Sequence, residues 1–331
     1  MPPYQAPWWL PGGHLQTIYP FLALRRPAPP YRRERWTTPD GDFIDLDWQD
    51  QRDSTAPLVA LFHGLEGGSG SHYATALMRV LARRHWRGVV VHFRGCGGEA
   101  NRLPRAYHSG DADEIDWILR RLRELQPASA LFAAGVSLGG NALLKWLARE
   151  GPRAQAVVNA AAAVSAPMDL MAAGDRLGAG INRLYAMHFL RTLKIKSLAK
   201  LAHHPGIYGA DTVRRARSLR AFDNIVTAPL HGYRNTDDYW TRASSNSELR
   251  GIEVPTLIVH ARNDPFLPGP FLPVAGEVSA CVCLDYPDQG GHAGFASGRF
   301  PGHLDWLPDR LLEFFTGVSN DSRQQAGNRL M

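Results

Sequence analysis

Four short apolar runs, 58–62, 89–93, 131–134 and 156–164, alternate along the chain with segments of helical spacing at 73–84, 111–124 and 138–149. Runs of that length each make one strand. Strands separated by a helix pair in parallel, because the chain must cross back over the sheet between them. Parallel strands are covered on both faces and so read as continuous apolar residues. The pattern therefore predicts an α/β fold with a mostly parallel central sheet flanked by helices. A hairpin signal precedes it, where 34–37 and 43–48 flank Pro39-Asp40-Gly41. Asp111 and Glu114 are spaced as a capping box at the start of one helix. After Ser165 the strand pattern gives way to helical periodicity, then resumes at 256–260 and 280–284 and closes with a helix at 304–315. This divides the chain into an irregular, Pro- and aromatic-rich arm (1–30), a core (31–164 and 251–316), a helical cap insertion (165–250) and a polar, flexible tail (317–331).

Composition excludes several classes. With 44% hydrophobic and 21% charged residues, the chain resembles a globular protein and not a disordered one. The longest apolar candidate, 154–166, is interrupted by Asn159 and falls short of the roughly 20 residues a membrane helix needs. The N-terminus lacks a basic patch followed by an apolar core, so no secretory signal is read. Three cysteines are too few for a disulfide framework, which points to a reducing, cytoplasmic setting. Cys281-Val282-Cys283 puts two thiols on one strand face, but no second ligand pair stands nearby, so they read as core residues and not as a metal site. Cys96 likewise reads as packing.

Gly135-Val136-Ser137-Leu138-Gly139 lies between an apolar strand and an amphipathic helix. A sharp strand-to-helix turn lifts a serine hydroxyl clear of the sheet, and flanking glycines let the backbone pass closely. A serine needs a base, and the base needs an orienting acid. Asp264, in Asn263-Asp264-Pro265-Phe266, and His292, in Gln289-Gly290-Gly291-His292, both follow strands, where open α/β sheets place their sites. Asp169, Asp175, Asp285 and Asp288 are rival acids. The roles are then Ser137 as nucleophile, His292 as general base and acid, and Asp264 as orienting acid. The turn His63-Gly64-Leu65-Glu66-Gly67-Gly68 follows the strand 58–62 and lacks the Gly-Lys-Ser/Thr of a phosphate loop. It reads as half of an oxyanion hole, with Leu65 N–H as one donor, Glu66 as its rival, and Leu138 N–H as the second donor.

The net charge of +6 is local: residues 165–250 hold 13 Lys/Arg against 7 Asp/Glu. The basic stretch has three readings: a solvated face, a cap that attracts anionic membrane surfaces or acidic substrates, and a nucleic-acid site. The last matches no recognition module, so no nucleic acid is expected. Leu184, Met187, Leu190, Leu193, Leu198 and Leu201 follow helical spacing beside Lys194, Lys196 and Lys200, as an amphipathic cap helix would.

Several motifs taken together resemble the YheT-like α/β hydrolases. They are Pro7-Trp8-Trp9-Leu10-Pro11-Gly12-Gly13-His14-Leu15-Gln16-Thr17, the 63–67 turn, Phe93-Arg94-Gly95-Cys96-Gly97-Gly98-Glu99, Tyr107-His108-Ser109-Gly110, the 135–140 turn, Phe222-Asp223, Ala228-Pro229-Leu230-His231-Gly232-Tyr233 and Asn263-Asp264-Pro265-Phe266. The likeness spans residues 7–315. It implies an α/β-hydrolase fold and a carboxylic-ester hydrolase that needs no cofactor, with the triad carried over onto Ser137, Asp264 and His292. Related eukaryotic members act on acylglycerols or phospholipids, so a lipid or small-molecule ester is the expected substrate. The alternatives are an amidase on the same triad and a non-catalytic lipid- or partner-binding module.

Overall fold

The computed structural model describes residues 2–24 and 26–328. Among them the strands form one eight-stranded sheet, β1 (Arg32–Thr37), β2 (Phe43–Gln49), β3 (Leu58–Phe62), β4 (Arg87–His92), β5 (Leu131–Val136), β6 (Ala160–Val164), β7 (Thr256–Val259) and β8 (Val282–Asp285), in the order β1-β2-β4-β3-β5-β6-β7-β8. β1 and β2 make the antiparallel hairpin, with Thr37 opposite Phe43, and β2 runs antiparallel to β4. All remaining pairings are parallel.

The period of two decides which core each side chain joins. Along β3, Leu58, Ala60 and Phe62 pack with one cluster, and Val59 and Leu61 with the other. Helices α1 (Gly13–Ala23), α2 (His72–Arg83), α3 (Ala112–Leu125) and α4 (Leu138–Glu150) precede β6 or begin the chain. α2 buries Leu77, Met78 and Leu81 on the Val59 side, and α3 and α4 bury Ile115, Ile118, Leu143 and Leu147 on the other. The stretch between β6 and β7 carries α5 (Leu170–Leu177), α6 (Arg183–Leu201), α7 (Ala210–Arg215), α8 (Leu219–Phe222), α9 (Ala228–Leu230) and α10 (Thr236–Ala243). It has its own small cluster of Leu190, Val213, Ala216, Phe222 and Val226. The last helix, α11 (Trp306–Asn328), covers the α2 face with Leu307, Leu311 and Phe315. No helix of the described residues is long and apolar enough to cross a membrane.

The structure corrects several sequence expectations. Residues 13–23 of the irregular arm are helical, although Pro20 lies inside. Proline removes one helical hydrogen bond, and tertiary bonds from Gln16 and Thr17, described below, hold the segment. The flexible tail begins as helix: α11 continues through Asn328, since each added residue of a running helix gains a hydrogen bond. Residues 329–331 of that tail lie outside the described residues. The run at 156–164 yields a strand only from Ala160, because 151–156 forms a 3₁₀ turn. The capping box is half made: Asp111 accepts the Glu114 N–H, while the Glu114 carboxylate turns to Arg94 at 2.6 Å. Cys281 and Cys283 are exposed instead of buried, because β8 is an edge strand and Val282 and Leu284 take its inner face.

Candidate active site

The sheet order reverses around β3, whose neighbours are β4 and β5. Open α/β sheets form a crevice beyond the strand ends at such a point. The turns after β3 and β5 both open there. At the end of β5, Ser137 adopts φ 53° and ψ −121°, a conformation that costs a non-glycine residue about 1–3 kcal/mol and persists only where its surroundings enforce it. A Cβ on Gly135 would meet Gly139 O at 2.5 Å, and one on Gly139 would collide with the backbone of Phe62, so both positions require glycine. The Ser137 N–H bonds Val164 O at 2.8 Å, which ties the turn to β6.

The loops after β7 and β8 bring the other two residues to it. His292 Nε2 is 3.0 Å from Ser137 Oγ, and His292 Nδ1 is 2.8 Å from Asp264 Oδ2. Asp264 is buried, with 1% of its surface exposed. Burial pushes its carboxyl up, but the charge and hydrogen bond of His292, with help from His260 and the Phe266 N–H, hold it below the usual carboxylate range. Phe266 packs on the His292 ring at 4.1 Å. The rival acids are occupied elsewhere. Asp169 caps α5, Asp175 pairs with Arg220, Asp285 with Arg310, and Asp288 stands 3.7 Å from Arg262.

The 63–67 turn lies against the serine, so that a Cβ on Gly64 would stand 3.0 Å from Ser137 Cβ. The Gly64 N–H donates to Tyr73 Oη, and the Glu66 N–H donates to Tyr107 Oη, each at 2.9 Å. Among the described residues, the intervening Leu65 N–H has no acceptor, and neither has the Leu138 N–H at the start of α4. Of the two candidate donors in the turn, Glu66 is thus already engaged. His63 is fixed as the neutral ring, since its Nδ1 donates to Gly64 O at 2.7 Å and its Nε2 accepts the Phe93 N–H at 3.1 Å. Burial is the main reason its pKa falls to about 3.

A cavity of about 460 Å³ extends from Ser137, Leu65 and Leu138 under the helical stretch, walled by Phe189, Leu193, Phe222, Val226 and Trp240. One acid faces it. Asp223 accepts hydrogen bonds from Thr227 Oγ1 and Trp240 Nε1, and burial pushes its carboxyl up to about 6. Lysines of α6 close the cavity against the core. Lys196 pairs with Glu66 at 2.9 Å, and Lys200 donates to Asn101 Oδ1 and to the carbonyls of Leu103 and Arg105. These two charges of the basic stretch therefore face protein groups. Among the described residues no cluster of His, Cys, Asp or Glu has the makings of a metal site. Cys96, 3.4 Å from Lys196, is pushed up to about 11 by burial, which leaves it an inert thiol.

Sequence reasoning did not foresee what holds the acid and histidine loops together. Gln16 of α1 is completely buried. Its Oε1 accepts from Asn263 Nδ2 and the Gly290 N–H, and its Nε2 donates to Leu10 O and Gln289 Oε1. Asn263 Oδ1 accepts the Gly291 N–H in turn, and Thr17 Oγ1 accepts the His292 N–H at 2.8 Å. The signal was present in the Gly13-His14-Leu15-Gln16-Thr17 motif, but a polar pair in an aromatic-rich arm does not reveal its partners.

Residues 57–269 match the model of the alpha/beta hydrolase fold family. The chain is 38% identical over 307 residues to Putative esterase YheT of Escherichia coli (strain K12), covering 92% of this chain and 90% of that one. It is 31% identical over 320 residues to Phospholipase ABHD3 of Mus musculus, covering 94% of this chain and 77% of that one. Among solved structures, the ferulic acid complex of Est1E from Butyrivibrio proteoclasticus superposes with a TM-score of 0.55 at 16% identity, covering 88% of this chain and 100% of that one.

Proposed function

The chain belongs to the YheT-like α/β hydrolases, and on that footing we propose that it is a serine hydrolase that cleaves carboxylic esters through an acyl-enzyme. The carrying observation is the continuous relay from Ser137 Oγ to His292 to Asp264, with links of 3.0 and 2.8 Å. In this reading His292 Nε2 takes the Ser137 proton as Oγ attacks the ester carbonyl carbon. The carbonyl oxygen becomes an oxyanion held by the Leu65 and Leu138 N–H groups, each worth about 3 kcal/mol in the transition state. The imidazolium returns its proton to the leaving alkoxide, and the alcohol departs. Water, deprotonated by His292, then attacks the acyl-Ser137 ester; the acid leaves and the hydroxyl is restored. Asp264 holds the ring in the tautomer with Nδ1–H and stabilises its charged form.

The apolar cavity wall favours the acyl part of a lipid ester or of a small-molecule acyl ester, in keeping with the phospholipase named among the relatives. Cys96, Cys281 and Cys283 are unpaired, which fits the proposed cytoplasmic setting. The test is a fluorophosphonate probe on the full chain, with peptide mapping of the adduct. A single adduct on Ser137, absent from Ser137→Ala, is expected, together with a fall in p-nitrophenyl ester turnover of about 10⁴-fold or more. Turnover that survives Ser137→Ala overturns the assignment. An acyl-ester panel run against aminoacyl amides separates esterase from amidase.

A further inference from the structure

α1 and the first half of α6 meet through two ring pairs. His14 Nδ1 is 3.1 Å from Tyr185 Oη, and the two rings stack. Further along, Phe21 meets His188 edge to face. From the first pair to the second the contact advances toward the C-terminus of both helices, from His14 to Phe21 on α1 and from Tyr185 to His188 on α6. On α1, Leu15, Ile18 and Leu22 sit roughly a quarter-turn from the His14–Phe21 line, at about 100° per residue. On α6, Leu184 and Met187 sit roughly a quarter-turn from Tyr185 and His188, in the opposite sense. Because both helices advance the same way along the contact, opposite offsets bring both stripes to one side of it. All five are exposed: Leu15 by 51%, Ile18 by 39%, Leu22 by 69%, Leu184 by 60% and Met187 by 54%. Contiguous large apolar side chains in water mark a surface meant to be covered.

The charge beside this face has one sign. Arg183 and Arg191 stand four residues before and after Met187, on the same side of α6, and both are exposed. Among the described residues neither has an ion-pair partner. Neither α1 nor α6 contains an acidic residue. The lysines of α6 are bonded to protein groups, Arg214 O, Glu66 and the carbonyls around Asn101, while these arginines are not. We propose that this face docks on the surface of an anionic lipid bilayer, its five apolar side chains entering the interface and Arg183 and Arg191 meeting lipid phosphates. The face borders the site: Tyr185 packs on Phe266 at 4.9 Å, and Phe266 on His292. The proposal stands apart from the hydrolase reading, since binding is measured without turnover.

The experiment is co-sedimentation of the full chain with phosphatidylcholine vesicles, with and without a minor share of phosphatidylglycerol. The expected result is binding to the mixed vesicles, lost at high salt and absent from phosphatidylcholine alone. Leu184→Asp with Met187→Asp lowers the partition constant about ten-fold or more. Arg183→Gln and Arg191→Gln each lower it roughly five-fold. Leu125→Asp, at an exposed apolar position on α3, leaves it unchanged. Turnover of a soluble ester by the Leu184→Asp, Met187→Asp variant matches wild type and serves as the check on folding; if that variant misfolds, Arg183→Glu with Arg191→Glu replaces it. The proposal is overturned by a wild type that ignores anionic vesicles at low salt, or by binding that survives these substitutions. It is equally overturned if sedimentation velocity shows a dimer that they split, since a second copy would then be the occupant.

Discussion

Ser137 and His292 are 155 positions apart in sequence and 3.0 Å apart in space, and the proposed chemistry depends on the third residue keeping that geometry. Asp264→Asn preserves shape but lets the amide donate toward Nδ1, favouring the tautomer that leaves Nε2 without a free lone pair for Ser137. Ester kcat is expected to fall about 10⁴-fold with the denaturation midpoint little changed, and a fall below ten-fold would remove Asp264 from this role. His63 makes a second, independent prediction. Its folded pKa is depressed from 6.5 to about 3, so the unfolded chain binds the extra proton between those values. The stability from neutral His63 is therefore full above pH 6.5 and is lost as pH falls toward 3. His63→Gln is expected to destabilise by about 2 kcal/mol at neutral pH through lost hydrogen bonds and packing. That gap narrows as pH falls, which urea titrations of the two proteins at a series of pH values will read; a constant gap refutes it.

At the scale of elements, α1 does more than cover the sheet. Its inner face holds the two loops that carry Asp264 and His292, through Gln16 and Thr17. Thr17→Val removes the acceptor for the His292 N–H at nearly constant volume. It is expected to lower kcat about ten-fold or more with KM near wild type, and Thr17→Ser to restore most of the loss. Equal loss in the serine variant would mean that packing, not the hydroxyl, matters. The elements themselves were largely legible. Apolar runs located β3 to the residue and β7 to within one residue, because a doubly covered strand has little freedom in composition. α1 was not legible, since Pro20 and the aromatic arm argue locally against a helix that distant hydrogen bonds sustain.

Over the whole molecule, the basic charge of the chain divides by direction. Lys196 and Lys200 bind the helical stretch to the 63–67 turn and the loop around Asn101, while Arg183 and Arg191 face solvent. Lys196→Met with Lys200→Met is expected to speed limited proteolysis within 183–215 while shifting the global urea midpoint little; unchanged cleavage rates would show that the apolar cluster around Leu190 and Phe222 holds the stretch alone. The amphipathic spacing read along 184–201 holds for Leu190, Leu193 and Leu198, which pack inward, and fails for Leu184 and Met187, which are exposed. The sequence alone determined the α/β fold, the strand-to-helix turn at Ser137 and the candidate residues Asp264 and His292, because each follows from local periodicity and the order of strands. Only the tertiary structure decided which acid reaches the histidine, which N–H groups stay unpaired, what holds the two loops and which apolar side chains remain in water. Those are distances between segments far apart in the chain, and neither periodicity nor spacing encodes them.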